Sequence, residues 1–287
     1  MSTSIIQWYP GHIAKAEKTL SKSLQKVDLV LEVRDARIPV STSHSHLQKW
    51  IQNKKHLLVI NRKDMVNEKS IEDWSKWFNK RNQQPYWCNA KNGDGVEQIK
   101  EAAISLGHEL NERRKSRGMR MRAVRALMLG FPNVGKSALI NRLTQKKVVS
   151  SSRRAGVTRS LQWVRVDKKI DLLDSPGVLP PQLDNQKAAV KLAICDDIGQ
   201  AAYDVELVAI AFLSMVSNLD KSSSKSLRNS IEKRYRVSFE EMVGNPNQWL
   251  INAAKLHTSN NVQRMSQKLL DDYRRTLLGR ITLEIPS

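Results

Sequence analysis

The sequence predicts a doubly wound, mostly parallel α/β sheet over residues 1–185, followed by a C-terminal all-helical domain over 186–287. Three observations predict it. Short apolar runs alternate with helical patterns through the first part. Polar loops containing Gly, Asn or Asp follow those runs directly, and sheets of this class bind ligands at the carboxyl ends of their strands. Beyond about residue 185 the apolar runs stop, and helical segments broken at Gly199, Gly244 and Pro246 take over.

Residues 15–26 read as a short polar helix, and 27–33 (VDLVLEV) as a strand leading into Arg34-Asp35-Ala36-Arg37-Ile38-Pro39. Ser41-Thr42-Ser43-His44-Ser45-His46 reads as a solvated loop. Residues 56–60 (HLLVI) form a second strand, ending at Asn61-Arg62-Lys63-Asp64. A third, 86–88, ends at Asn89-Ala90-Lys91, and 96–110 has helical periodicity. A basic connector, 112–125, carries a glycine at its centre. Residues 126–129 are a fourth strand and 170–173 a fifth, which ends at Asp174-Ser175-Pro176-Gly177. Helices are expected at 187–198, 204–219, 224–236, 239–243 and 248–275.

Composition narrows the partners. The chain carries 48 basic and 28 acidic residues, a net charge of +20, which points to a polyanion. Its longest mostly apolar run, 207–216, is too short to span a bilayer. The opening reaches Trp8-Tyr9-Pro10-Gly11 without a signal-like stretch. Two cysteines, Cys88 and Cys195, make no disulfide framework and suit a reducing compartment. A cytoplasmic protein with a nucleic-acid partner and no membrane partner is the expectation.

Gly130-Phe131-Pro132-Asn133-Val134-Gly135-Lys136-Ser137 is a phosphate-binding loop set between a strand and a helix. Its glycines let backbone N–H groups and the helix N-terminus face phosphate. Asn133, Val134, Gly135, Lys136, Ser137 and Ala138 are therefore expected to hold a nucleotide, with Lys136 on the β- and γ-phosphates and Ser137 on Mg²⁺. Asp174 can hold Mg²⁺ through water, and the Gly177 N–H can meet a γ-phosphate. Thr158 lies between the two motifs and can complete the Mg²⁺ shell. By itself Asp174-Ser175-Pro176-Gly177 is an ordinary turn; its place about 40 residues after the phosphate loop gives it meaning.

Asn61-Arg62-Lys63-Asp64 ends a strand, as a base-reading loop should. A buried Asp64 carboxylate would accept both the ring N–H and the exocyclic amine of guanine. Adenine would leave it unpaired, a mismatch worth on the order of 10⁴-fold in a site built for the bond. Asn61 would tie this loop to the phosphate loop, and Asn89-Ala90 would present the Ala90 N–H to the guanine carbonyl. Alone, Asn61–Asp64 could be a helix start. GTP and GDP are thus the expected nucleotides.

Together these elements are the GTPase motif set in permuted order, with base recognition first. The chain resembles the circularly permuted P-loop GTPases, and among them the ribosome biogenesis GTPase A family. Trp8-Tyr9-Pro10-Gly11-His12-Ile13-Ala14-Lys15-Ala16 is similar to that family's opening motif, and Arg34–Pro39 to its D-A-R-x-P segment. Arg62 stands where the family usually has lysine over the base, Ala155 where it has proline, and Asn89 where it has serine or threonine. Val178 occupies the position of a water-orienting glutamine, so the resemblance implies another hydrolytic aid. It marks His12 as needed for hydrolysis, and Asn133 as the position that coordinates K⁺ in cation-activated GTPases. Lys136, Thr158 and His12 are the expected catalytic groups.

The resemblance implies a GTP-dependent switch in late 50S assembly, acting on the large ribosomal subunit precursor and its rRNA and monomeric off the ribosome. Lys221, Lys225, Arg228, Lys233, Arg234 and Arg236 would supply phosphate contacts in the helical domain. A GTP-regulated RNA-binding protein, or a signalling GTPase without a ribosomal role, is the alternative; no lipidation motif supports the latter.

Overall fold

A computed structural model of the chain describes residues 6, 21–44, 46–51, 54–149, 162–175, 185–219 and 221–286, with side chains at all of these except 48 and 221–226. The chain divides into two compact units. One comprises Tyr9–Gln182 and Glu284–Ser287, the other Met1–Trp8 and Leu183–Leu283.

The apolar runs of the first unit become one six-stranded sheet of order β3-β2-β1-β4-β6-β5. The strands are β1 (Leu29–Asp35), β2 (Lys55–Asn61), β3 (Pro85–Trp87), β4 (Val124–Leu129), β5 (Gln162–Arg165) and β6 (Ile170–Asp174). All neighbours are parallel except β5, an antiparallel edge strand. Every residue of β1 is buried. A strand that is apolar on both faces needs a cover on both, and two separate cores supply it. Val30, Leu127, Leu129 and Leu173 pack with Leu47 and Ile51 of α1 (Leu47–Ile51). Leu58 and Ile60 pack with Trp74 and Phe78 of α2 (Glu68–Asn79). The doubly wound reading therefore holds. Glu32 survives inside β1 because Arg34 grips it at 2.6 and 3.0 Å and His56 sits 3.0 Å away. Burial pushes its carboxyl up, but the Arg34 guanidinium and the hydrogen bond to His56 bring it below the usual range.

Several elements differ from the expectation. Helix α2 is an addition to it, although Asn67 caps this helix through Ser70 N at 2.7 Å and its apolar residues Trp74 and Phe78 fall four apart. Helix α3 (Val96–Lys115) runs into the basic connector. Strand β5 is a second addition, hidden from pattern reading because only Val164 of its four residues is buried. The loop 41–46 is not solvated as a whole: Ser41, Thr42 and His44 are buried. The Glu284 carboxylate accepts the Val40 N–H at 2.7 Å and the Ser41 hydroxyl, and His44 lies against Trp50 with ring centroids 4.1 Å apart. Of the helix expected at 15–26, the described part is helical at 21–24. Helix α4 (Lys136–Thr144) follows the phosphate loop.

The second unit is helical among its described residues: α5 (Gln186–Ile194), α6 (Val205–Ser217), α7 (Lys221–Tyr235), α8 (Phe239–Gly244), α9 (Pro246–His257) and α10 (Val262–Arg274). The single helix expected at 248–275 is two. Ser259 and Asn260 take left-handed backbone (φ 52° and 65°), and Asn261 then caps a new helix by accepting Arg264 N at 2.8 Å. Phe212 of α6 meets Tyr273 of α10 at 4.9 Å between ring centroids. Arg274 closes the end of α5 by donating to the Ala193 and Ile194 carbonyls at 2.8 and 2.9 Å. No helix among the described residues is long and apolar enough to cross a membrane.

Candidate functional site

The carboxyl ends of β1, β2, β3, β4 and β6 lie along one edge of the sheet, and each carries a polar loop. This alignment follows from parallel pairing and brings together motifs far apart in sequence.

Asn61 closes β2 and is 3 % exposed. Its Nδ2 donates to the Val134 carbonyl at 2.8 Å, and its Oδ1 accepts the Ala90 N–H at 3.0 Å. One amide thus ties together the loops after β2, β3 and β4. Gly135 makes the approach possible: its φ is +102°, and a Cβ there would lie 2.2 Å from Asn61 Nδ2. The Ala90 N–H, expected to face the guanine carbonyl, is engaged by Asn61 instead, so that interaction is not preformed. Asn89 shapes its loop by accepting the Lys91 N–H at 2.9 Å. Arg142 of α4 adds a further tie by donating to the Lys91 carbonyl.

Asp64 stands in a short 3-10 turn and is exposed, with no hydrogen bond or ion pair to any described residue. The expectation of a buried carboxylate is corrected accordingly: Asp64 is exposed in this structure. Lys63 is held to Asp94 at 2.7 Å. The Arg62 guanidinium binds Asp35 Oδ2 at 2.5 Å and the Asn133 carbonyl, which joins the end of β1 to the phosphate loop.

Asp35 is the site residue that sequence reasoning passes over, since it reads there only as part of a family segment. It ends β1 fully buried. It accepts the Arg37 N–H at 2.8 Å, Arg37 Nε and Nη2 at 3.0 and 2.8 Å, and Arg62. Burial alone would raise its carboxyl; the Arg37 and Arg62 guanidiniums overcome this and hold it at about 2. A charged residue ending an apolar strand of a parallel sheet, as Asn61 and Asp174 end theirs with polar groups, was the available signal.

The phosphate loop leaves β4 at Gly130, where φ is +157° and a Cβ would strike the Val33 carbonyl at 2.4 Å. Asn133 takes left-handed backbone (φ 56°), which asparagine tolerates better than most residues. Lys136 is 6 % exposed and donates to the Gly130 and Phe131 carbonyls at 3.1 and 2.7 Å. Asp174 ends β6, 1 % exposed, and takes a hydrogen bond from Ser137. Burial pushes its carboxyl up against the pull of Lys136 and Ser137, and its Oδ1 has no hydrogen-bond partner among the described residues. A buried, unfilled carboxylate oxygen beside a hydroxyl on a helix N-terminus is the hard oxygen donor set that Mg²⁺ prefers. His12, Thr158 and Gly177 lie outside the described residues, as does the 8–16 opening.

In the helical unit, two of the arginines expected to contact RNA are committed elsewhere. Arg234 forms paired bonds to Asp272 at 2.6 Å each, and Arg228 pairs with Glu240. Lys233 and Arg236 remain exposed; the side chains of Lys221 and Lys225 lie outside the described residues.

Comparison with known proteins agrees with this geometry. A family model described as "50S ribosome-binding GTPase" matches residues 125–239. The match starts in β4 and omits the loops at 61–64 and 89–91, which precede it in this chain. The chain is 30% identical to "Ribosome biogenesis GTPase A" of Bacillus pumilus, over 98% of this chain and 99% of that protein. It is 34% identical to the protein of that name from Priestia megaterium, over 74% of each. Its fold matches a crystal structure of GNP-bound YlqF from T. maritima with a TM-score of 0.60, at 21% identity, covering 95% of this chain and 99% of that one.

Proposed function

The chain belongs to the ribosome biogenesis GTPase A family, a GTPase of ribosome biogenesis that uses GTP and GDP, and from that premise we propose that it is a GTP-dependent switch which binds the large ribosomal subunit or its precursor late in assembly. The observation that carries the nucleotide site is Asn61, which ties the base-reading loops to the phosphate loop through one buried amide. Base and phosphate elements separated by permutation are thereby held as one receptor.

Asp64 reads the guanine edge, and Asn61, Arg62, Lys63, Asn89 and Ala90 form the surrounding loops. Lys136 exchanges its two loop carbonyls for β- and γ-phosphate oxygens, so its charge is already in place when nucleotide arrives. Val134, Gly135 and Ala138 present backbone N–H groups to phosphate. Ser137 and Asp174, with Thr158, would hold Mg²⁺, which supplies neutralisation of developing phosphate charge. Asn133 is the K⁺ ligand, Gly177 meets the γ-phosphate, and His12 assists hydrolysis; these three assignments, with Thr158, rest on sequence position. The part up to 185 is the GTPase domain, and 186–287 contacts ribosomal RNA. The +20 net charge supports such a partner.

Pelleting with 50S particles tests the switch. The GTP-analogue form should cosediment at lower protein concentration than the GDP form at one fixed salt concentration. By linkage the particle then favours GTP over GDP to the same degree. Equal cosedimentation of both forms would rule out a nucleotide switch on the particle.

A further inference from the structure

We propose that the β5 edge of the sheet, with the basic connector beside it, is a separate RNA-binding surface carried by the GTPase unit itself. It rests on the ribosomal reading above but adds a surface which that reading does not include.

Seven of the 14 residues from 112 to 125 are lysine or arginine, and one is acidic. The segment is an ordered turn. Gly118 takes φ +68°, and the Met119 N–H returns to the Arg114 carbonyl at 3.0 Å. Arg114 Nε donates to the Arg120 carbonyl at 3.1 Å, and Asn111 clamps the Arg122 backbone from both sides at 2.9 and 3.2 Å. Arg122 itself grips Asp28 at 2.7 and 2.8 Å. Those side chains build the turn. Lys115, Arg117 and Arg120 do not: all are exposed, and their side chains make no hydrogen bond or ion pair with any described residue. Holding like charges together on a rigid turn is unfavourable for the isolated protein, and a polyanion reverses the sign of that term.

A second observation specifies the polyanion. The Val124 N–H donates to the Lys169 carbonyl at 2.8 Å, so the β5–β6 turn, with exposed Lys168 and Lys169, adjoins the connector. On edge strand β5, Trp163 is 43% exposed, with the Arg125 guanidinium 5.6 Å from its ring centre. A half-exposed indole on an edge strand, backed by a cation, is a stacking platform for an unpaired base. Arginine and lysine beside it suit backbone phosphate. An acidic polypeptide would use the charge but not the flat ring, and an anionic bilayer would take up the ring only by burying it, whereas here it is held against a guanidinium. The partner is therefore RNA with an accessible unpaired base. The connector and the β5–β6 turn lie at the amino ends of β4 and β6, whereas Trp163 pairs with Leu173, one position before Asp174, so the surface runs along the β5 edge toward the nucleotide loops.

The test uses the full-length chain and a transcript of large-subunit ribosomal RNA, with binding measured across a KCl series. Lys115→Ala/Arg117→Ala/Arg120→Ala should make the slope of log K against log salt shallower by about 2 to 3, at roughly 0.7–0.9 for each phosphate no longer neutralised. Trp163→Ala should weaken binding about fivefold to a hundredfold, the range for removing one stacked base, and Trp163→Phe should restore most of it. GDP affinity, GTP turnover without RNA and melting temperature should stay at wild-type values in the triple variant, whose residues precede the amino end of β4. A triple variant with wild-type affinity and slope overturns this surface and leaves the ribosomal reading standing. A wild type that ignores both the transcript and 50S particles overturns both. Binding of polyglutamate or anionic vesicles as tight as RNA at equal salt overturns the assignment to RNA.

Discussion

The two halves of the nucleotide site are built on opposite plans. In the base half, the polar groups that frame the loops are satisfied by the protein itself: Asn61 uses both ends of its amide, Asn89 caps its own loop, and Arg62 is fixed between Asp35 and Asn133, while Asp64 stands exposed. In the phosphate half, capacity is left over. Lys136 rests on carbonyls of its own loop, and Asp174 keeps a buried oxygen without a partner among the described residues. A buried polar group without a partner costs about 1–3 kcal/mol. The protein tolerates that cost where a ligand supplies the missing partner. On the proposed assignment the base half is a preorganised frame, and the phosphate half holds the groups whose interactions GTP would complete. Substitutions in the two halves should therefore fail differently.

The largest effect is expected in the phosphate half. Lys136→Ala removes the phosphate loop's own cation and should lower GTP turnover by more than about 10³-fold, the upper range for removal of one charge-stabilising donor. Melting temperature without nucleotide should change little, because the bonds removed go to loop carbonyls that water can reach once the side chain is gone. Turnover within about tenfold of wild type would show that Lys136 does not carry the phosphate charge.

Next comes Asp64. Asp64→Asn should weaken GTP binding by about 10²-fold and shift preference toward xanthine nucleotides, since the new amide matches a carbonyl where guanine has an amine. Because Asp64 is exposed in the free protein, stability should be unaffected. Equal ATP and GTP affinities in the wild type would remove the base-reading assignment altogether.

Asn61→Ala tests the frame itself. It should lower both GTP affinity, by about tenfold, and stability, by about 1–3 kcal/mol, because the Val134 carbonyl and Ala90 N–H lose a buried partner together. Chemical denaturation and nucleotide titration on one preparation would check it. Weaker affinity with unchanged stability would mean that the three loops are not tied through this amide.

Much of this site was legible in the sequence because its motifs are short, local and sit at the ends of apolar runs. The phosphate loop, Asn61–Asp64 and Asp174 all fall where the runs stop. What escaped was long-range or weakly patterned. Asp35 is separated by 27 residues from Arg62, and no periodicity announces their pairing. Strand β5 buries one residue of four, so alternation could not reveal it. The commitment of Arg234 to Asp272, 38 residues away, is equally invisible, which is why a basic helix face reads as an RNA-binding one. Charge counts reveal the cations present but not those already paired.

Asp35 also gives the frame a pH signature. Its folded carboxyl lies at about 2, below the ordinary value of 3.8. A group depressed on folding contributes stability above its unfolded pKa and loses it as pH falls through the folded one. The contribution should be on the order of 2 kcal/mol above pH 4 and fade toward pH 2. Asp35→Asn should be less stable at neutral pH and show a weaker acid dependence over that window. Parallel stability curves for the two proteins between about pH 4 and pH 2 would deny Asp35 this role.

The smallest effect probes the seam between the halves, at Asn133. Its backbone carbonyl serves the frame by accepting from Arg62, while its side chain is the proposed K⁺ ligand of the phosphate half. Alanine would confuse the two, because φ at Asn133 is 56°, a left-handed conformation that costs a residue with a Cβ about 1–2 kcal/mol. Glycine separates them: it accepts that backbone freely and keeps the carbonyl. Asn133→Gly should retain GDP affinity within a fewfold of wild type yet lose any acceleration of turnover in KCl over NaCl. The wild type should keep that acceleration if a monovalent cation beside the transferring phosphate takes the part of an arginine finger. Identical wild-type rates in the two salts would eliminate potassium. An Asn133→Gly variant that still responds to KCl would place the cation on another ligand, and Asn133 would then belong to the frame alone.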